Sequence, residues 1–194
     1  MIPAGYLLKR VVPPPEFLAD ARVSEVCSVS DCVNDDVIDV QAAWRHNGFG
    51  VANDPNVLWS MAADAAVDAG GVTLFYYEAY EQEIESDGWT VEPDEWRPLS
   101  TVPSEGEPTA VKPPTQTLQA RLIGFDVVVF GDFLEHSPLS CNHIAGSVPV
   151  NSHCLFDTLE AAKAAIDGGM FGGGCEEGVY RIFSVSVATV PETA

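Results

Sequence analysis

The sequence predicts an α+β fold, in which about three helices pack against a mixed or mainly antiparallel sheet. Three observations support this class. Runs of β-branched and aromatic residues indicate strands, apolar residues at helical spacing next to capping residues indicate helices, and the two kinds of segment do not alternate as they would in a parallel βαβ protein. The 194 residues, 46% of them hydrophobic and 20% charged, favour one globular domain over residues 1–194.

Four apolar segments predict the main strands of this sheet. The first is stopped by three consecutive prolines, which cannot donate to a strand ladder. The second is rich in aromatic and β-branched residues, the third contains Phe-Asp-Val-Val-Val-Phe, and the fourth alternates. The four segments span 5–12, 72–80, 118–130 and 179–190, and shorter strands are expected at 23–29 and 153–156.

Capping residues predict the helices. Asp54 followed by Pro55 is typical of a helix start, and apolar residues then recur at helical spacing up to Gly70. Asp157 and Glu160 form a capping-box pattern that indicates a second helix. These two helices and two less strongly indicated ones are expected at 55–69, 159–166, 35–45 and 16–21.

The expected core is built from apolar residues of the predicted strands and helices. Asp126 interrupts the third strand, and because a carboxylate inside a sheet is costly unless it is hydrogen-bonded, we expect it to face solvent or to cap a neighbouring loop. The core residues predicted are Leu7, Leu8, Val11, Phe75, Val127, Val129, Phe130, Leu155, Ile166, Ile182 and Val185.

A long irregular excursion is expected at about 85–117. This stretch contains six of the chain's 14 prolines, and its large apolar anchors are Trp89 and Trp96. It does not divide the chain into two domains, because each flank alone has too few strands to form a core of its own.

The net charge is the strongest compositional signal. The chain carries 29 acidic residues against nine lysines and arginines, which gives a formal net charge of −20. Such a surface repels phosphates and anionic lipid headgroups, so direct nucleic-acid binding and membrane binding are both disfavoured. A basic protein or nucleoprotein is the partner that this charge predicts.

The acidic residues are densest between residues 78 and 107. This stretch holds ten acids and a single base, Arg97, with aromatic side chains interleaved. One interpretation of this stretch is a binding surface, because acidic groups steer a basic partner and aromatic rings supply buried contact area. The other interpretation is an ordinary acidic face exposed to solvent. The residues predicted to bind a partner are Glu78, Glu81, Glu83, Glu85, Trp89, Asp94, Glu95 and Trp96.

The number of cysteines and the order of the first residues indicate in which cellular compartment the protein resides. Five cysteines cannot all pair in disulfide bonds, and the early basic residues Lys9 and Arg10 follow the short apolar stretch instead of preceding it, as they would in a signal peptide. We therefore expect a reducing cytoplasm.

A cluster of histidines and cysteines between residues 136 and 154 raises the question of zinc. Thiolates and imidazoles are zinc's preferred ligands, and the candidates are Cys141, His143, His153 and Cys154, with His136 nearby. Their spacing does not match a paired-ligand zinc motif, and buried cysteines and solvent-facing histidines are the ordinary alternative. No metal and no cofactor is therefore predicted.

The same residues allow a weaker case for cysteine catalysis. Cys141 lies near His143, and Cys175 follows three glycines whose amides could approach an oxyanion. The acids Glu176 and Glu177 would raise the pKa of Cys175 and oppose its activation. The glycine-rich stretch 168–174 lacks a phosphate-binding pattern, because it follows a helix and has no nearby lysine.

Three functions remain open from the sequence. The first is an acidic binding protein or inhibitor, of the immunity or anti-defence type, that masks a basic surface of a protein or nucleoprotein. The second is a Cys/His-dependent enzyme or zinc-binding protein, and the third is an accessory protein whose acidity is incidental. The charge imbalance favours the first.

Overall fold

The computed structural model confirms the α+β class: the described residues contain three helices and a sheet whose pairings are all antiparallel. The structure describes residues 1–18, 22–40, 42–43, 49–80, 84–85, 103–104, 107–108, 118–129, 136–172, 175 and 179–189. No helix in these ranges is long and apolar enough to cross a membrane.

The sheet contains four long strands and one short strand. The four long strands match the four principal predicted segments to within a few residues. The strands of the sheet are β1 (Ile2–Arg10), β2 (Val72–Ala79), β3 (Ile84–Glu85), β6 (Ala120–Val129) and β7 (Val179–Ala188). A separate pair of two-residue strands, β4 (Pro103–Ser104) and β5 (Glu107–Pro108), lies within the expected excursion.

Strand β7 lies between β2 and β6. Residues Phe183–Val187 pair with β2 on one edge and with β6 on the other, while β1 pairs with the far edge of β2. Tyr180 pairs with both β3 and β6, so β3 continues the edge of β7 that β2 occupies. The strand order is therefore β1-β2-β7-β6.

Two apolar clusters lie on opposite faces of this sheet. Val128 and Phe183 belong to one cluster, whereas their neighbours Val127 and Ile182 belong to the other. Alternate residues of a strand point to opposite faces, so the sheet separates the two clusters. Of the predicted core, nine residues are buried, Val11 is half-buried, and Phe130 lies outside the described residues.

Both strongly indicated helices are present. Helix α1 (Pro55–Asp64) begins after Asp54, whose carboxylate accepts a hydrogen bond from the Asn56 amide. Helix α3 (Leu159–Asp167) begins where the capping pattern indicated, but Asp157 is the wrong cap. The cap is Thr158, whose hydroxyl accepts from the Ala161 amide at 3.1 Å.

Several predicted elements are wrong. Residues 23–29 and 153–156 form isolated bridges and bends instead of strands, and 35–40 form bends and a bridge instead of a helix. Of the short helix expected at 16–21, the part that is described is a 3₁₀ turn over Glu16–Leu18. The four-residue helix α2 (Pro138–Cys141), in a stretch expected to be irregular, was not predicted.

Candidate functional site

Three side chains converge near the start and end of α2. The Sγ atoms of Cys32 and Cys141 and a ring nitrogen of His136 all lie within 4.8 Å of one another, and we call this trio the Cys/His centre. His136 Nδ1 lies 2.9 Å from Cys32 Sγ. Cys32 is exposed while the other two are half-buried, so the centre opens to solvent on one side.

One turn of helix positions two members of the centre. The Val129 amide at the end of β6 donates to the carbonyl of His136 at 2.8 Å, which fixes the chain just before α2. Pro138 occupies the first turn, where its missing N–H costs nothing. The Cys141 amide then donates to the Ser137 carbonyl at 2.8 Å, and this closes the turn with Cys141 near His136.

Asp126 joins this turn to the segment that carries Cys32. Its Oδ1 accepts from the Ser137 hydroxyl at 2.6 Å and from the Val127 amide at 2.9 Å. Its Oδ2 accepts from the Ser28 hydroxyl at 3.0 Å and from the Val29 amide at 2.8 Å. Of the two positions expected for Asp126, the solvent-facing one is wrong, because Asp126 is fully buried. The loop-capping one is confirmed, since its carboxylate accepts hydrogen bonds from Ser28 and Val29 on a neighbouring loop.

Burial raises the pKa of Asp126 to about 6, although its hydrogen-bond donors oppose the shift. Removing a carboxylate from water disfavours its charged form, while hydrogen bonds to that form favour it. The four donors thus compensate for part of the burial cost of the charge.

Lys9 provides a second buried anchor for the same segment. It lies on β1 with none of its surface exposed, and its ammonium donates to the Ser30 carbonyl at 3.0 Å and pairs with Asp36. The Asn34 side chain donates to the Ser28 carbonyl at 3.2 Å. Residues 28–36 are therefore held by polar groups, and Asp36, at the start of the helix expected at 35–45, is tied to β1 instead.

The two thiols of the centre are electrostatically different. The pKa of Cys32 falls to about 5, chiefly because it accepts a hydrogen bond from Cys141, against the effect of burial; His136 and Ser30 lower it further. The pKa of Cys141 is raised, because its proton is held in the bond to Cys32. Two sulfurs and an imidazole in this arrangement can ligate a soft metal or present a nucleophile.

The predicted Cys/His candidates separate in space. Cys141 is part of the centre, whereas His143 is exposed and stacks on Phe17 with ring centroids 4.3 Å apart. Cys154 is buried, and burial raises its pKa to about 12. Cys175 is half-buried against the apolar cluster that contains Val127.

His153 belongs to a different trio. Its Nδ1 lies 2.6 Å from Glu25 Oε1, and both groups lie within 4.8 Å of the Cys27 thiol. Cys27 is only 2% exposed, and burial raises its pKa to about 12, so this thiol stays protonated at neutral pH.

The sequence placed His136 beside the candidate ligands, but neither His136 nor Cys32 was selected as one of them. The two residues are 104 positions apart, and no short-range motif connects them. One sequence feature could have pointed to the centre: Asp126 is a carboxylate inside an apolar strand. In the structure, Asp126 holds both segments that supply the ligands of the centre.

A second feature lies beside the same loop. A cleft of about 830 Å³ contains five aspartates together with Arg10 and several apolar residues, and we call it the aspartate cleft. Its acidic residues are Asp31, Asp35, Asp36, Asp39 and Asp68. The Arg10 guanidinium donates to the carbonyls of Asp68 and Gly70 at 2.9 and 3.1 Å, on one side of the cleft.

Few of the predicted partner-binding residues fall within the described structure. Glu78 is half-buried and accepts from the Tyr76 hydroxyl at 3.4 Å, and Glu85 lies in β3. The remaining residues, Glu81, Glu83, Trp89, Asp94, Glu95 and Trp96, lie outside the described ranges.

Comparison with known proteins adds no family to this description. No family model, no curated protein and no solved structure matches the chain.

Proposed function

We propose that this chain is an acidic binding protein of the inhibitor type, which masks a basic surface of a protein or nucleoprotein. The observation that carries the proposal is the aspartate cleft. Of its carboxylates, those of Asp31, Asp35 and Asp39 belong to exposed residues on one short loop, where a partner can reach them. A concave face lined by carboxylates complements lysine and arginine side chains.

The placement of cations adds to this support. Lys9 and Arg181 are both fully buried, so neither offers its charge to a partner. The Lys9 ammonium is engaged by Asp36, and the Arg10 donors are directed to backbone carbonyls at the cleft. The loop that carries Asp31, Asp35 and Asp39 contains no lysine that would repel a basic partner.

The charge predicts how such a partner would be recognised. A formal charge of −20 speeds encounter with a basic surface, and carboxylates compete with phosphate for the same arginines and lysines. The acidic segment from Glu78 to Trp96 is proposed as a further contact. We do not expect direct binding to nucleic acid or membranes.

The first experiment is capture of partners from a host lysate at low and high salt, followed by binding measurements with the captured protein. We expect a basic protein that dissociates as salt rises. Four exposed acids of the cleft are then changed to their amides: Asp31, Asp35, Asp39 and Asp68.

A matched control removes the same four charges elsewhere. The control variant changes four exposed acids outside the cleft: Glu16, Asp157, Glu160 and Asp167. Loss of affinity in the cleft variant alone supports the proposal, and equal losses in both show that net charge, not the cleft, determines binding. Charge reversal at Glu81, Glu83, Asp94 and Glu95 tests the further contact. If no basic partner is captured, the acidity is incidental, as in an accessory protein.

A Cys/His-dependent function is the second candidate, because Cys32 and His136 lie 2.9 Å apart in a solvent-accessible centre. An enzyme of this kind would lose activity in Cys32→Ser, whereas the binding protein would keep its partner. We also propose a reducing compartment such as the cytoplasm, because five cysteines are an odd number and cannot all pair in disulfide bonds within the chain.

A further inference from the structure

We propose that Cys32, His136 and Cys141 form a zinc-binding site with one coordination position open to water or to an external ligand. The site is independent of the proposed binding function, because none of its three residues lines the aspartate cleft. It also differs from the candidates taken from the sequence, with which it shares Cys141 alone.

The distances suit a tetrahedral ion. Zinc binds sulfur at about 2.3 Å and imidazole nitrogen at about 2.0 Å, so neighbouring ligand atoms lie roughly 3.5–3.8 Å apart. The three ligand atoms here already lie within 4.8 Å of one another, and Cys32 Sγ and His136 Nδ1 are 2.9 Å apart. Binding an ion requires the Cys32–His136 pair to separate by roughly 0.6 Å, from 2.9 Å to about 3.5 Å.

The ligand set selects the metal class. Two sulfurs and one imidazole favour zinc over magnesium or calcium, which prefer oxygen ligands. Two thiolates balance the charge of a divalent ion, and the exposure of Cys32 leaves room for a fourth ligand. Three protein ligands with an open position are typical of catalytic zinc sites, whereas structural sites have four.

Groups around the ligands restrict their motion. The hydroxyls of Ser30 and Ser140 each lie 3.9 Å from Cys141 Sγ, within hydrogen-bonding range of sulfur. Asp126 links the two segments that supply the ligands through Ser28 and Ser137. Such outer contacts orient metal ligands and lower the cost of assembling the site.

The other Cys/His trio is a weaker candidate. Cys27 is 2% exposed and lies beneath Glu25 and His153, which already form a 2.6 Å contact with each other. An ion there would have to enter a packed region and separate that pair. The trio of Glu25, Cys27 and His153 therefore serves as a comparison within the same protein, and we expect it to bind no metal ion.

The test uses the full chain, reduced and freed of metal with a chelator. Cobalt(II) is titrated first, because two thiolate ligands give an intense charge-transfer absorption, and zinc then displaces it. We expect one equivalent to bind, and we expect Cys32→Ser, His136→Asn and Cys141→Ser each to weaken binding by about 100-fold or more. Circular dichroism checks that each variant is folded.

Matched variants outside the centre control for the loss of a thiol or an imidazole. Cys175→Ser and His143→Gln should bind as the wild type does. Zinc should also protect Cys32 and Cys141, but not Cys175, from alkylation mapped by mass spectrometry, a readout that remains if one variant fails to fold. Three outcomes would each overturn the proposal. The first is the absence of charge-transfer absorption with cobalt, the second is unchanged binding in Cys32→Ser, and the third is loss of binding in His153→Asn.

Discussion

The hydroxyl of Ser137 donates to Asp126 at 2.6 Å, and this contact joins the first turn of α2 to the edge strand β6. Ser137 and Asp126 are both fully buried, and the same carboxylate also receives the Ser28 hydroxyl. One carboxylate therefore sets the relative positions of the two segments that carry His136 and Cys32.

Asp126→Asn should destabilise the protein by about 2–4 kcal/mol, because hydrogen bonds to a charged group are strong and the new amide leaves buried donors without an acceptor. Urea denaturation measures the change in the free energy of unfolding. The exposed Asp157→Asn serves as control and should cost less than about 0.5 kcal/mol. Similar small effects in both variants would show that the Asp126 network does not stabilise the fold.

The stability that Asp126 confers should depend on pH. Its folded-state pKa of about 6 lies above the ordinary 3.8, so the folded protein takes up a proton at a pH where the unfolded chain does not. Stability from this group therefore rises as pH falls through 6 and is lost as pH rises through 6. From pH 7.5 to 5, the free energy of unfolding of the wild type should gain about 1 kcal/mol relative to Asp126→Asn. A constant difference between the two proteins at both pH values would contradict this assignment.

Lys9→Met should cost about 3–5 kcal/mol, because it leaves the largely buried Asp36 without its partner. The double variant Lys9→Met with Asp36→Asn should recover part of that loss, since it removes both charges. Lys163→Met is the matched control, and it should cost about 1 kcal/mol or less because Lys163 is only half-buried. Thermal and urea unfolding test all three. If the double variant is as unstable as the single one, the cost does not come from the stranded Asp36 charge.

Gly124→Ala should destabilise the protein by about 2–4 kcal/mol. Gly124 has a φ of +153°, and a Cβ there would lie 2.7 Å from Leu155 Cβ and 2.8 Å from the Phe156 carbonyl oxygen. Gly146→Ala is the control, because a Cβ at that position meets nothing within 4 Å. Equal melting temperatures for the two variants would argue against this close approach of chain segments.

The regular parts of the fold could be predicted from local signals. β2 and β6 are rich in β-branched and aromatic residues, and α1 begins at the Asp54-Pro55 pair that the sequence indicated. The cap of α3 was displaced by one residue, because Asp157 and Thr158 are both good caps and backbone geometry decides between them.

The candidate site could not be predicted in the same way. Residues 35–40 carry apolar side chains at the spacing that predicted a helix, but the Val37 amide donates to the Leu8 carbonyl of β1 and Asp36 pairs with Lys9 instead. Those contacts join residues that are far apart in the sequence, as does the pair of Cys32 and His136, which are 104 positions apart. Such pairings depend on tertiary structure, which local propensity does not encode.

The position of β7 has a consequence for synthesis on the ribosome. β1 and β2 can pair as soon as residue 79 has emerged, but β2 and β6 have no pairing with each other and meet through β7. Until residues 179–188 leave the exit tunnel, the nascent chain exposes one strand edge of β2 and one of β6 to other chains. The sheet therefore cannot be completed before this late segment emerges, and unpaired strand edges of this kind favour aggregation.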